Sequence, residues 1–208
     1  IFTGLNNFNV FSITSVQFDE FFGFTDDEVA EMLKYFGLSD YHETIREWYD
    51  GYYMTDCLSN FSPRSVVASI DRKKFGNYWT STETYEALRV YIDMNYDGLR
   101  DDVVKLLAGE EVYLNTNKFQ NDMTTFKSKD DVLTLLVHLG YLTYDFDNKK
   151  VAIPNQEVQK EFINCIEDGG WEPVMDAIRS SDELLYATLQ GDEEKVSSMI
   201  EQAHQENT

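Results

Sequence analysis

Apolar residues at helical spacing, bracketed by start and stop signals, recur along most of this sequence and predict a mainly α fold. Thr25-Asp26-Asp27-Glu28 is a capping box, in which side chain and backbone of the two end residues satisfy each other. Val29, Met32, Leu33 and Phe36 follow on one face, and Gly37 is a stop. A second helix is expected from about Asp40, with Tyr41, Ile45 and Trp48 inward, ending near Gly51. Ser62-Pro63 supplies an N-cap and a first-turn proline ahead of Val66, Val67 and Ile70. Thr80-Ser81-Thr82-Glu83 is a further capping box, before Leu88, Tyr91 and Ile92. Leu99, Val103, Leu106 and Leu107 fill a helix between Gly98 and Gly109.

Beyond a linker-like stretch, 110–126, the pattern changes. Ser128 caps a helix carrying Val132, Leu135, Leu136 and Leu139, ended by Gly140. "YLTYD" and "KKVAI" are short runs of β-formers, with Phe146, Asp147 and Asn148 as a tight turn between them. Pro154-Asn155 then opens a helix with Val158, Phe162 and Ile166. Short helices are expected after Trp171, after a cap at Ser180 with Glu183, and from Asp192 through Met199 and Ala203. The expected layout is a helical subdomain over 1–110, a winged-helix-like unit with one β-hairpin over 111–169, and a short helical tail over 170–208.

Composition narrows the function classes. The chain of 208 residues carries 38 acidic and 17 basic side chains, a formal charge of −21, which repels phosphate and anionic lipid at long range. No apolar run approaches the ~20 residues that cross a bilayer. Cys57 and Cys165 are the only cysteines, too few for a disulfide framework or a zinc site. They are expected to be reduced, in a cytoplasmic protein. The start, "IFTGLNNFNVFSI", lacks a basic region and a cleavage signature, so no signal peptide is expected. It opens on Ile1 rather than Met, as a fragment or processed product would. Asn60-Phe61-Ser62 matches a glycosylation sequon but runs into Pro63, and is read as chance.

The chain holds no phosphate-cradling G-x-x-x-x-G-K-[ST], and no G-x-G-x-x-G, H-E-x-x-H, C-x-x-C or G-x-S-x-G. No complete active site, metal site or cofactor site is therefore expected within it. The histidines are His42, His138 and His204; His138, on an apolar helix, reads as a packed residue rather than a ligand. Asp192, Glu193 and Lys195 spell an acid beside an E-x-K. Metal-dependent nucleases use that set on adjacent strands, so that carboxylates share a cation. Here Val196, Met199 and Ile200 follow at helical spacing, which makes the stretch a helix start. Asp26-Asp27, Asp101-Asp102 and Asp130-Asp131 likewise fall where helix dipoles favour acids.

A helix followed by a hairpin raises the question of DNA. Residues 127–162 hold five basic and six acidic side chains, with Lys149 and Lys150 the only basic cluster. An ordinary DNA binder neutralises about six to ten phosphates. The apolar face of Val132, Leu135, Leu136 and Leu139 reads instead as the core of a packing module.

Several segments together resemble a bacterial family: "LNNFNVFS", "FFGFTDDEVAEML", "IREWYDGYYM", "NYWTSTETYEALRVYI", "FQNDMTTFKSKDDVLTLLVHLGYLTYD" and "IPNQEV". The chain is similar, over nearly its whole length, to AAA-ATPase-like proteins fused to a C-terminal PD-(D/E)XK nuclease-superfamily domain. In that family the P-loop lies before the "LNNF" segment and the nuclease-like strands lie after the last helices. The resemblance therefore implies a helical lid, a winged-helix-like subdomain and a linker, without either catalytic centre. ATP and Mg²⁺ are implied for the parent only. Its partners would be its own upstream P-loop core and downstream nuclease-like domain, with no membrane and no nucleic acid bound by this part. Asn6 and Asn7 would lie near nucleotide or at the core–lid junction, or would serve as a helix cap. Trp48, Tyr49, Asp50, Gly51 and Tyr52 match the family's "WYDGY", and Tyr78, Trp79 and Thr82 its "YW…T" element; the aromatics would serve a core or an interdomain contact, Asp50 would take backbone N–H bonds, and helix capping already explains Thr82. One departure is Asn60-Phe61-Ser62-Pro63, where many relatives carry "YNP". Two other classes remain: a freestanding acidic adaptor using Tyr52, Tyr53 and Phe61, and a nucleic-acid-binding winged helix dependent on Lys149 and Lys150.

Overall fold

The computed structural model describes residues 23–53, 59–79, 84–93, 95–116, 126–169 and 171–206. Helix α1 spans Asp26–Phe36, and the Thr25–Glu28 capping box is formed at its start. Gly37 ends it in the left-handed region at φ 67°. The return turn lets the Leu38 N–H donate to the Leu33 carbonyl at 2.8 Å. That turn carries Leu38 back against the core and leaves Phe36, expected inward, exposed.

Helix α2, His42–Tyr49, follows a single 3₁₀ turn, Ser39–Tyr41. Tyr41 lies on that turn, out of phase with Ile45, and is exposed rather than inward. Helix α3, Pro63–Arg72, turns Ser65, Val66, Ser69 and Ile70 inward. Val67 stands about 100° round the helix from Val66 and faces out, contrary to the expectation. Val29, Leu33, Ile45, Tyr49, Phe61, Val66 and Ile70 form one core, with Phe24 and Phe75 packed against it. Phe24 and Phe61 also pair as a short antiparallel bridge, with N···O distances of 3.1 and 2.9 Å.

Helices α4, Thr84–Asp93, and α5, Leu99–Leu107, pack on each other, and α4 also meets α6, Lys129–His138. Ser128 caps α6 in a complete capping box with Asp131. Three short strands form a small sheet. β1 is Val112–Tyr113, β2 Thr143–Asp145 and β3 Lys150–Ala152, all antiparallel in the order β1-β3-β2. Val151 is the hub of the sheet, opposite Val112 on one side and Tyr144 on the other. β1 lies inside the stretch that reads as a linker, and adds a strand to the expected hairpin. Asp145 shapes the hairpin turn by accepting from the Asp147 and Asn148 N–H groups, both at 2.9 Å. These bonds hold its pKa below the usual range, the Asn148 N–H contributing most.

Helix α7 is Gln156–Asp168, α8 Glu172–Gln190 and α9 Glu193–Glu206. Ser180, expected to cap a separate helix, lies in the middle of α8. No Gly or Pro interrupts the chain from Val174 to Gln190, and serine is tolerated inside helices, so the helix runs on. The described residues through Phe162 form one compact unit and those from Ile163 a second. No helix among the described residues is long and apolar enough to cross a membrane.

Candidate functional site

The first unit contains a junction in which residues far apart in sequence meet. It begins where α2 ends. Tyr49 is buried, and its hydroxyl both donates to the Gly76 carbonyl at 3.0 Å and accepts from the Gly76 N–H at 3.1 Å. Burial pushes this phenol up to about 12, so it stays neutral. Asp50 accepts from the Ser59 hydroxyl and, at 2.9 Å, from the Asn60 N–H. Its backbone carbonyl accepts from the Asn155 amide at 3.0 Å. Asn155 in turn caps α7, accepting from the Val158 N–H at 3.1 Å.

Gly51 adopts φ 107°, and a Cβ there would sit 1.9 Å from the Pro154 carbonyl oxygen. Only glycine lets these two backbones approach so closely. The chain then delivers Tyr52, whose hydroxyl donates to the Gly140 carbonyl at 2.9 Å, and Tyr53, whose N–H donates to the Thr143 hydroxyl at 2.6 Å. Burial raises the Tyr52 pKa well above its usual value.

Aromatic rings fill the space between. Trp79 stacks on Tyr52 at 6.4 Å and tilts against Tyr141 at 6.0 Å, and Tyr141 meets Phe162 edge-on at 6.3 Å. Trp48 carries the Lys160 ammonium 4.0 Å above its ring.

Glu157, on the first turn of α7, holds the loop that presents Trp79. It is fully buried. Its Oε1 accepts from the Tyr78 N–H at 2.6 Å and the Trp79 N–H at 3.1 Å, and its Oε2 from the Ser65 hydroxyl at 2.7 Å. Burial raises the Glu157 pKa, while these donors oppose the rise. One turn on, Glu161 accepts from the Asn77 amide. Asn77 Oδ1 closes the loop by accepting from the Trp79 N–H at 3.1 Å. A carboxylate so enclosed is a clamp for two backbone N–H groups and a hydroxyl; at zero exposure it is out of reach of a substrate.

Trp48, Tyr49, Asp50, Gly51, Tyr52, Tyr78 and Trp79 thus come together. Asn6, Asn7 and Thr82 lie outside the described residues, as does the rest of the Thr80–Glu83 capping box. Sequence reasoning missed Ser65, Gly140, Asn155 and Glu157 as partners in the junction. A usable signal was present: Glu157 and Glu161 sit beside Val158 and Phe162, acids adjoining an apolar face.

The other candidates resolve locally. Helix α6, in the place of a DNA-reading helix, buries Val132, Leu133, Thr134, Leu135, Leu136 and Val137. Those six successive residues are turned into protein rather than to solvent. Lys150 is bonded to Glu111 at 2.9 Å, and Lys149 occupies the left-handed region at φ 54°. Lys129 is 2.7 Å from Asp102, which is buried. His138 is half-buried, and burial lowers its pKa. Asp192 caps α9 by accepting from the Lys195 N–H at 3.0 Å, and Lys195 Nζ lies 3.5 Å from Glu183. Cys165 is buried and forms no disulfide among the described residues. Among the described residues no group of three or more metal-ligating side chains exists. Compared with family models, curated proteins and solved structures, the chain matches none.

Proposed function

We propose that this chain is the non-catalytic lid and winged-helix portion of a AAA-ATPase-like protein. It relays nucleotide state from an upstream P-loop core to a downstream nuclease-like domain, and ATP and Mg²⁺ belong to that core. The carrying observation is the convergence of the segments that bear the family resemblance. Trp48–Tyr52, Asn77–Trp79, Gly140–Leu142 and Pro154–Val158 meet in one junction through directional bonds and stacked rings. A displacement of α2 or the Trp79 loop must therefore move the end of α6 and the start of α7. That is what a relay between two ends of a chain requires.

The experiment uses the native protein from its source. Intact mass comes first, then amide hydrogen exchange with and without ATP·Mg²⁺. Nucleotide is expected to change exchange in the β2–β3 hairpin and α7, and Trp79→Ala is expected to abolish that change without abolishing nucleotide binding. A native protein of this size lacking a P-loop, or exchange indifferent to nucleotide, would defeat the relay and favour an acidic adaptor.

A further inference from the structure

We infer that the α8–α9 hairpin is a docking surface for a basic amphipathic helix of a partner protein. The inference stands on the hairpin alone and does not use the relay. Helix α8 turns Leu184 and the buried Ala187 to one side, and α9 half-buries Val196 and Met199. At about 100° per residue, Leu185, Tyr186 and Leu189 fall on the opposite flank of α8. They are 59%, 65% and 74% exposed. Three large side chains within two turns form a stripe, which marks an interaction site where scattered single residues would not. Two packed helices cover only one flank of each other, so a stripe on the outer flank calls for a third layer.

Charge identifies that layer. From Trp171 to Glu206 the sequence has nine acids against two bases. Both bases are engaged: Arg179 with Glu167 and Asp176 at 3.6 and 3.8 Å, and Lys195 with Glu183 at 3.5 Å. A second copy would bring the same acids face to face, and an anionic lipid surface would add phosphates to them; both are repelled. A helix with a leucine-rich ridge flanked by Lys or Arg meets both demands. Its ridge covers Leu185, Tyr186 and Leu189, and its cations face Asp182, one turn before the stripe on the same flank of α8, within this strongly acidic segment.

The test titrates the 208-residue chain into a fluorescent lysine–leucine amphipathic peptide of about 18 residues, at about 0.15 M salt, and follows anisotropy. Binding is expected, with a loss of about tenfold or more for Leu189→Glu, the scale of one leucine's burial. The variant adds a negative charge, so attraction by net charge alone would tighten it; tighter or unchanged binding overturns the proposal. Leu189 is exposed, and unchanged far-UV circular dichroism confirms that the variant folds. The same peptide with glutamate for lysine is expected not to bind, and equal binding overturns the proposal. Sedimentation of the free chain is expected to give a monomer. A dimer dispersed by Leu189→Glu assigns the stripe to a second copy, and binding to phosphatidylcholine vesicles lost in that variant assigns it to lipid; either overturns the proposal.

Discussion

Replacing Gly140 with alanine is expected to destabilise the first unit by about 2–4 kcal/mol, and Gly109→Ala by only about 1 kcal/mol. The two glycines share a backbone conformation, φ 81°, and the same return turn after a helix. After α5, Gly109 N–H donates to the Leu106 carbonyl at 3.1 Å and Glu110 N–H to Lys105 at 2.9 Å. After α6, Gly140 N–H donates to Val137 at 3.0 Å and Tyr141 N–H to Leu136 at 2.9 Å. They differ in surroundings. A Cβ on Gly109 meets nothing within 4 Å, whereas one on Gly140 would lie 2.6 Å from Trp79 Cη2 and 3.1 Å from Cζ2. Both variants carry the left-handed backbone cost, about 1 kcal/mol. Gly140→Ala adds the displacement of Trp79 from between Tyr52 and Tyr141, an overpacking cost of about 1–3 kcal/mol. With a urea m-value of about 2 kcal/mol/M, the two midpoints should differ by about 0.5–1.5 M. Urea unfolding followed by near-UV circular dichroism reads both the midpoint and the aromatic packing. Equal losses for the two variants would refute the idea that the Trp79 ring enforces glycine at 140.

Four further outcomes are expected. Because burial raises the Glu157 pKa, its contribution to stability is full below the ordinary glutamate range and is lost as pH rises through the raised value. Glu157→Gln should flatten that slope in urea unfolding above the ordinary glutamate range; an unchanged slope would mean the carboxyl titrates normally. Glu157→Ala strands the Tyr78 and Trp79 N–H donors and should cost about 2–5 kcal/mol by the same unfolding measurement, against about 1 kcal/mol or less for the glutamine. Lys129→Ala leaves the buried Asp102 with Lys105 alone, 3.7 Å away, and should cost about 1–2 kcal/mol, discounted because Lys129 is one-third exposed; a neutral result in chemical unfolding would put that pair among ordinary surface pairs. Duplex DNA at about 50 mM salt should give no anisotropy change, and Lys149→Glu with Lys150→Glu should alter nothing; measurable binding lost in the double variant would restore the nucleic-acid reading.

Local chemistry was legible in the sequence wherever neighbours in sequence settle it. The box at Thr25–Glu28, the cap at Ser128, the stop at Gly37 and the turn after Asp145 are each decided within six residues. β1 was hidden because two residues carry no period; pairing with β3 makes them a strand. The inward face of α3 was misjudged because hydrophobicity favours Val67 over Ser65. Ser65 is buried because Glu157, far along the chain, takes its hydroxyl. The junction was half legible. Tryptophan, tyrosine and glycine in Trp48–Tyr52 signalled a special contact, but nothing local tells that Gly51 must pass Pro154 or that Gly140 must lie under Trp79.

The clamp on the Trp79 loop also orders events during synthesis. The loop's N–H groups are emitted first, and the acid that satisfies them follows 79 residues later. At about 5–20 residues per second, the ribosome leaves that loop unclamped for about 4–16 s. Tyr52 waits longer still, its Gly140 acceptor lying 88 residues on. Throughout this interval Tyr52, Trp79 and the exposed flank of α3 are open to chaperones and to neighbouring nascent chains. A ribosome stalled before residue 157 would hold a nascent chain whose first three helices can share their core while the Trp79 loop stays without its clamp.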